Sequence, residues 1–436
     1  AMAGLLYIPL LAVALALAVR FIPRADVPQH LAGHPVFEQE ELIPKDTRLK
    51  LLQNIRDMKT FMSNIDTAKS SGVIATHDHI GEAIPINADG TCSHQYLFPN
   101  NDRTRCILPE RIDVGRHFIQ TGGLDGVKES FDVLMDRVSS FARYKFNKDV
   151  AEFPVVRELF ESENFQAAAK SVCPADQTYL DPFQFTFIIN LPGQTVAAHL
   201  DAPYFWGANR FRFPQWLLVA MVFSDLFQDK FIHQIQVVGY LHEWPNGVNP
   251  QNGGDFVFHA NSSYMGTVIS KPGAGTIVDG SKVIHAAKIY RPEVVPPHLE
   301  KDKFSQLVHL EGDNWELRVA DEVVQRYTTQ DFRISMVYRA RCFASAEEAT
   351  RYATLPEEEM VTLENVLNTL QADLIKRGVT TQAKLDTMPK LDLAFLIIDT
   401  YIKYPLAPVE AAWMPYNYCA IPRAVPWTAP LFDLFC

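Results

Sequence analysis

Three residues at two places in this chain have the types and spacing to grip one metal ion. His199-Leu200-Asp201 sets an imidazole and a carboxylate two residues apart, and on a β-strand such residues point to the same face. His285, in GTIVDGSKVIHAAKIYR, follows a Gly-rich turn on a second β-rich run and is the candidate third ligand. Two imidazoles and one carboxylate on one side of an ion leave three positions open. That suits a redox-active metal that must also take a cosubstrate and O2. Alone, the tripeptide is a weak signal: with 13 His, one such spacing arises by chance in roughly every other chain of this size. His298-Leu299-Glu300 in a charged loop and His77-Asp78-His79 in a turn-rich region are decoys of this kind.

The element expected to face these ligands is DFRISMVYRARCF. Alternation puts Arg333, Ser335, Val337, Arg339 and Arg341 on one face and Ile334, Met336, Tyr338 and Ala340 on the other. The apolar face must meet the protein, so the basic face points into a barrel lumen or into solvent. Inside a barrel, Arg333 needs an anion, and its fork matches a carboxylate in a bidentate way. Ser335 adds a donor beside it. The competing arrangement is an edge strand with solvated arginines.

Nine short β-rich runs between Tyr179 and Phe343 supply the walls: FQFTFIINL, VAAHLD, WLLVAMVF, IHQIQVVGYLHEW, DFVFHA, MGTVISKP, GTIVDG, VIHAAKIYR and FRISMVYRARCF. Gly, Pro and Asn punctuate them, which predicts a sandwich or a jelly-roll barrel. Ahead of them, helical spacing is expected over 47–70, 126–144 and 155–171; beyond them, from Leu355 to Leu374 and over 390–404. The predicted organisation is α+β. It comprises an apolar head (1–22), a helical extension (23–178), a double-stranded β-helix barrel of jelly-roll or cupin-like type (179–345), and C-terminal helices with a wrapping arm (346–436).

Lys plus Arg is 40 and Asp plus Glu is 51, a net charge of -11, which argues against nucleic acid as a partner. The first 19 residues carry no charge. They read as a signal peptide, a membrane anchor through residues 4–19, or a buried helix. The first two readings place the chain in the secretory pathway or at a membrane; the third leaves it soluble. Cys92 and Cys106 bracket a polar loop and are spaced to pair. Cys173, Cys342, Cys419 and Cys436 show no metal or redox spacing and read mostly as buried thiols. Asn261-Ser262-Ser263 is a glycosylation sequon.

Over about residues 179–345 these motifs resemble the 2-oxoglutarate/Fe(II)-dependent dioxygenase superfamily. LPGQTVAAHLD is similar to the approach strand and HxD of its prolyl-hydroxylase-like branch. NGGDFVF followed by GAGTIVDGSKVIH resembles the strand and turn before the distal His, and RIS matches the RxS motif. The resemblance implies that His199, Asp201 and His285 bind Fe(II), and that Arg333 and Ser335 hold the distal carboxylate of 2-oxoglutarate. O2 is then the oxidant and ascorbate a reductant. Two features depart from the pattern. The Tyr that prolyl-hydroxylase-like members carry near Leu191 is absent, and Arg333 lies 48 positions after His285, across an acidic and Pro-rich insert from about Pro292 to Gln330. Arg291 shares strand parity with His285 and is the second candidate for that carboxylate.

The implied reaction is C–H abstraction coupled to decarboxylation of the cosubstrate, with the barrel orienting the bond and excluding water. Related halogenases replace the carboxylate at Asp201 by a small residue. Its presence implies hydroxylation, desaturation or oxidative cyclisation. The segment after the HxD, with Tyr204 and Trp206, is placed to be a substrate wall or a cap on the barrel end. Arg339 and Arg341 exceed what one cosubstrate carboxylate needs, so a small substrate with its own carboxylate, such as an amino-acid derivative, is expected. The apolar head joined to such a barrel is similar to algal kainoid synthases, which close a ring on an N-prenylated glutamate. The alternatives are a secretory-pathway prolyl or protein hydroxylase and a non-catalytic cupin-like binding protein. A cupin-type dioxygenase without 2-oxoglutarate is disfavoured by the RxS motif.

Overall fold

The computed structural model describes residues 24–63, 80–81, 84–100, 103–244, 247, 253–300, 303–432 and 434–436. The apolar head and the His77-Asp78-His79 decoy lie outside these residues. Two sheets carry the site. Their strands are β1 (Val36–Gln39), β2 (Thr60–Ser63), β3 (Phe141–Phe146), β4 (Tyr179–Asn190), β5 (Val196–His199), β6 (Gln234–Tyr240) and β7 (Phe256–Asn261). They continue with β8 (Tyr264–Val268), β9 (Gly275–Val278), β10 (His285–Ala287), β11 (Ser305–His309), β12 (Asn314–Val319), β13 (Glu322–Thr328) and β14 (Arg333–Phe343). The large sheet runs β1-β9-β6-β14-β4-β3-β2-β11-β12-β13 and the small one β8-β7-β10-β5.

The period of two decides which residues meet between the sheets. Val238, Tyr240 and Val337 from the large sheet pack with Phe256 and Val268 from the small one. The other face of β14, with Ile334, Met336, Tyr338 and Ala340, packs with Phe185 and Phe187 of β4 and with Phe160 and Phe165. Those last two sit on α4 (Pro154–Glu161) and α5 (Glu163–Lys170), which follow α1 (Lys45–Asp57), α2 (Ile112–Thr121) and α3 (Phe131–Arg137). Beyond them come α6 (Gln215–Ser224), α7 (Leu363–Lys376) and α8 (Lys390–Tyr401).

Several elements differ from expectation. WLLVAMVF is not a strand: it is α6, buried on every side from Trp216 to Phe223. An unbroken apolar run has no period to separate strand from helix. Pro214 at the N-cap and Asp225 in the left-handed conformation at the C-cap bound it as a helix. The helix expected over 126–144 is α3 followed by β3, and that over 155–171 breaks at Ser162, whose hydroxyl caps α5 by accepting from Phe165 N–H. The extension expected to be helical therefore also supplies β1, β2 and β3, which lengthen both ends of the large sheet. The insert before Arg333 is a three-stranded meander, β11 to β13, paired onto β2.

All six cysteines are paired, which overturns the expectation of buried thiols. Cys92 joins Cys106 as spaced, Cys173 joins Cys342, and Cys419 joins Cys436. The second bridge links residues 169 apart, a proximity that only the tertiary fold creates: it ties the end of α5 to β14. Among the described residues, no helix is long and apolar enough to cross a membrane.

Candidate metal centre and the arginines facing it

His199 ends β5 and pairs in register with His285 at the start of β10. Their ring centroids lie 4.3 Å apart. Asp201 follows in a turn whose N–H donates to Gly280 O at 2.8 Å. One ligand atom from each of the three lies within 4.8 Å of the others, the one such cluster found among the described residues. The decoy at His298 is instead a half-exposed surface pair with Asp136, 2.9 Å away.

The imidazoles are set in the tautomer that binds metal. His199 Nδ1 lies 2.8 Å from Ala197 O, and His285 Nδ1 lies 2.9 Å from Val283 O. A carbonyl only accepts, so each Nδ1 carries the proton and each Nε2 keeps a lone pair. Burial first, then the neighbouring His199, pushes the His285 imidazole down to about 3, so it stays neutral. For Asp201, burial acts to raise the carboxyl, but the Arg339 guanidinium beside it outweighs this and holds it well below the usual range. Gly280 keeps the space between ligands open: a Cβ there would lie 2.2 Å from Asp201 Oδ2 and 3.3 Å from His285 Cε1. Phe256 stacks on His285 at 5.3 Å. Two imidazole nitrogens, one carboxylate and carbonyls fixing the rings from behind are a donor set that fits a divalent transition metal.

Arg339 belongs to this cluster. Its Nη2 donates to Asp201 Oδ1 at 2.8 Å and its Nε to Gln236 Oε1 at 3.0 Å. The Gln236 amide nitrogen is in turn 3.2 Å from His285 Nε2. Further along β14, Arg333 is 3% exposed. Its Nε donates to Gly254 O at 2.7 Å and its Nη1 to Asn190 Oδ1 at 3.2 Å, both neutral acceptors. Its guanidinium lies 5.6 Å from the Tyr240 ring, and Tyr240 shares a 2.7 Å hydrogen bond with Thr276. Ser335 is buried opposite Tyr240. On β4, Gln184 Oε1 and Asn190 Nδ2 are buried without a partner. A cation with neutral acceptors, beside the unpartnered Asn190 amide nitrogen, is an interior fitted to a polar anion, whereas Gln184 lies opposite Arg339.

The other expected site residues stand elsewhere. Arg341 donates to Asp181 at 2.9 and 2.6 Å, and Phe183, Tyr204 and Tyr352 surround it at 4.7 to 5.1 Å. The register with β4 shifts just after Arg339, and the charge of Arg341 is committed beyond that shift. Arg341 is therefore a structural cation at this end of the sheet, held by Asp181. Tyr204 is buried against Phe183, and Trp206 packs on Phe343 and Tyr352. Both are packed against other aromatic side chains and form no open wall. Arg291 has left the strand: β10 ends at Ala287, and Arg291 sits at φ 50°, 3.6 Å from Asp331 and stacked on Tyr290. Parity with His285 does not extend past the strand end. Gln236, Tyr240 and Gly280 were missed. The first two share the face of QIQVVGY that meets β14, a polar and aromatic pattern that alternation could have flagged.

No protein-family model matches the chain, and no curated protein sequence does. Solved structures do match. A prolyl-4-hydroxylase from Pseudomonas putida is 12% identical over 71% of this chain and 92% of its own, with a TM-score of 0.27. A prolyl hydroxylase from Trichoplax adhaerens, in complex with a hypoxia inducible factor peptide fragment, is 8% identical over 74% and 88%, TM-score 0.31. The epimerase SnoN, in complex with Fe3+, alpha ketoglutarate and nogalamycin RO, is 8% identical over 71% and 79%, TM-score 0.29. These are prolyl hydroxylases and iron- and 2-oxoglutarate-dependent enzymes. At such TM-scores the likeness carries no argument of its own, so the functional reading rests on the strand order and the site.

Proposed function

We propose that this protein is a 2-oxoglutarate- and Fe(II)-dependent oxygenase whose catalytic unit spans about residues 179–345. The observation that carries the reading is the meeting of two sites in one barrel interior. One is a His-His pair with an ionised Asp; the other is the buried Arg333, whose protein acceptors are uncharged. The strand order supports a double-stranded β-helix. Numbered within that unit, strands 1, 8, 3 and 6 (β4, β14, β6, β9) form one sheet and strands 2, 7, 4 and 5 (β5, β10, β7, β8) the other, which is jelly-roll connectivity.

His199, Asp201 and His285 would hold the metal from one side. Arg333 with Ser335 would receive the distal carboxylate of 2-oxoglutarate, and the Tyr240–Thr276 pair takes the place of the Tyr expected near Leu191. When bound, iron and cosubstrate supply O2 activation and C–H abstraction. The rest falls to the chain: Arg339 fixes the Asp201 carboxylate, and its partly open guanidinium is offered to a carboxylate of the substrate. We read the substrate as a small, carboxylate-bearing molecule such as an amino-acid derivative, undergoing hydroxylation, desaturation or kainoid-type ring closure. Three disulfides support folding in an oxidising compartment. Anaerobic addition of Fe(II) and 2-oxoglutarate is expected to produce a weak visible charge-transfer band. No band, together with no succinate from any pool of amino-acid derivatives, would sink the reading.

A further inference from the structure

The chain beyond the barrel reaches the metal centre from behind. Tyr404 follows α8 and is 3% exposed. It shares an apolar cluster with Ala197 and Leu200, and His117 and Phe223 meet its ring edge-on at centroid distances of 5.6 and 5.5 Å. Its hydroxyl donates to Asp113 Oδ2 at 2.7 Å. The same oxygen accepts a hydrogen bond from the Leu200 backbone N–H. Leu200 stands between the two candidate ligands His199 and Asp201. Because β5 ends at His199, the Leu200 N–H lies past the ladder and needs an acceptor from elsewhere. Tyr404 supplies it.

The tyrosine is itself fixed. Asp113 stands in the first turn of α2, and its side chain has no exposed surface. Arg111, at the N-cap of α2, grips that carboxylate with Nε and Nη2 at 3.2 and 3.1 Å. The helix packs on β5. A buried carboxylate held by a forked cation is not free to turn. Burial, then the Asp113 carboxylate, push the Tyr404 hydroxyl well above the ordinary tyrosine value, so it stays a donor to Asp113. Its oxygen is then left to Leu200. A peptide unit is planar, so holding the Leu200 N–H also holds the carbonyl of His199. The next unit is held too, since the Asp201 N–H donates to Gly280 O at 2.8 Å. One peptide between the ligands is thus fixed by the turn before β10, and the other by the C-terminal extension.

We propose that Tyr404 is a positioning residue of the metal centre: through Asp113 and the Leu200 peptide, the C-terminal extension sets the angle at which His199 and Asp201 meet one ion. The proposal rests on the reading of these two residues as metal ligands. Tyr404→Phe removes the hydroxyl and keeps the ring. In the metal-free full chain, hydrogen exchange at the Leu200 amide, read by mass spectrometry with fragmentation to single residues, should speed up about tenfold or more. Calorimetry should find Co(II) bound about tenfold more weakly. The visible Co(II) d–d bands should shift, and 2-oxoglutarate affinity at saturating Co(II) should stay as it was. Tyr401→Phe is the control. It deletes a similarly buried hydroxyl of the extension, one that donates to Leu370 O and Asp373 Oδ2 at 3.2 and 2.8 Å. It should lower the thermal midpoint about as much and leave Co(II) affinity and bands alone. Unchanged Co(II) affinity and bands in Tyr404→Phe overturn the proposal. So does a Tyr401→Phe that alters them equally, since the extension then acts through stability alone. If the parent chain binds no Co(II), the metal centre itself falls and this role with it; Co(II) bound equally by parent and Tyr404→Phe removes only the role.

Discussion

Arg333 and Arg339 sit on one face of one strand, about 20 Å apart by strand rise, and their surroundings are opposite. Arg339 finds an ionised carboxylate, Asp201, at 2.8 Å and a glutamine at 3.0 Å. Arg333 finds a carbonyl and an amide oxygen, and burial lowers its affinity for its own proton. A paired cation organises the protein around it. A buried cation with neutral acceptors is costly until something anionic arrives, so Arg333 reads as a receptor and Arg339 as a brace.

The largest expected effect tests the receptor. Arg333→Leu should raise the 2-oxoglutarate dissociation constant about a hundredfold, the weight of a lost charge-assisted pair. Titration should find metal affinity unchanged. An intact response would remove Arg333 as the receptor of the cosubstrate. Gly280→Ala probes the other end: its methyl collides with Asp201, and Co(II) affinity should fall tenfold or more with folding intact. Equal affinity by calorimetry would show that the turn yields. Arg339→Leu should weaken Co(II) by about tenfold while sparing 2-oxoglutarate; an effect on both ligands would erase the distinction between the two arginines. The last test reads folding stability and leaves both ligands aside. On β7, His259 alternates with Val257, away from Phe256, and burial lowers its imidazole to about 4. Its folded value is depressed, so the unfolded chain takes the proton first. Stability is full above about pH 6.5 and falls by about 3 kcal/mol toward pH 4. His259→Leu should flatten part of that slope in urea titrations, leaving the shares of His117 and His242.

The parts of this structure that alternation encodes were readable in advance. Arg333, Ser335, Val337 and Arg339 do line one face of β14, and His199, Asp201 and His285 do converge. What alternation cannot encode was not readable. Arg341 keeps the parity of Arg333, yet a register shift hands it to Asp181. Trp216 to Phe223 has no polar residue to set a period. β3 was hidden because FARYKF follows an amphipathic helix with only a short break. Cys173 and Cys342 meet through tertiary structure alone. The insert of β11 to β13 explains why Arg333 stands so far from His285 in sequence while β14 still lies between β6 and β4.

That central place of β14 has a consequence for how the chain is made. It pairs with β4 and β6, strands completed long before it leaves the ribosome. During that interval both present open edges, which are templates for misassembly. The strand that fills the gap between β4 and β6 arrives last, and with it comes Cys342, so the bond to Cys173 can form only once that strand has been made. Pairings this distant in sequence fold slowly, and the bond between Cys173 and Cys342 would then act as a latch on the strand once it is seated.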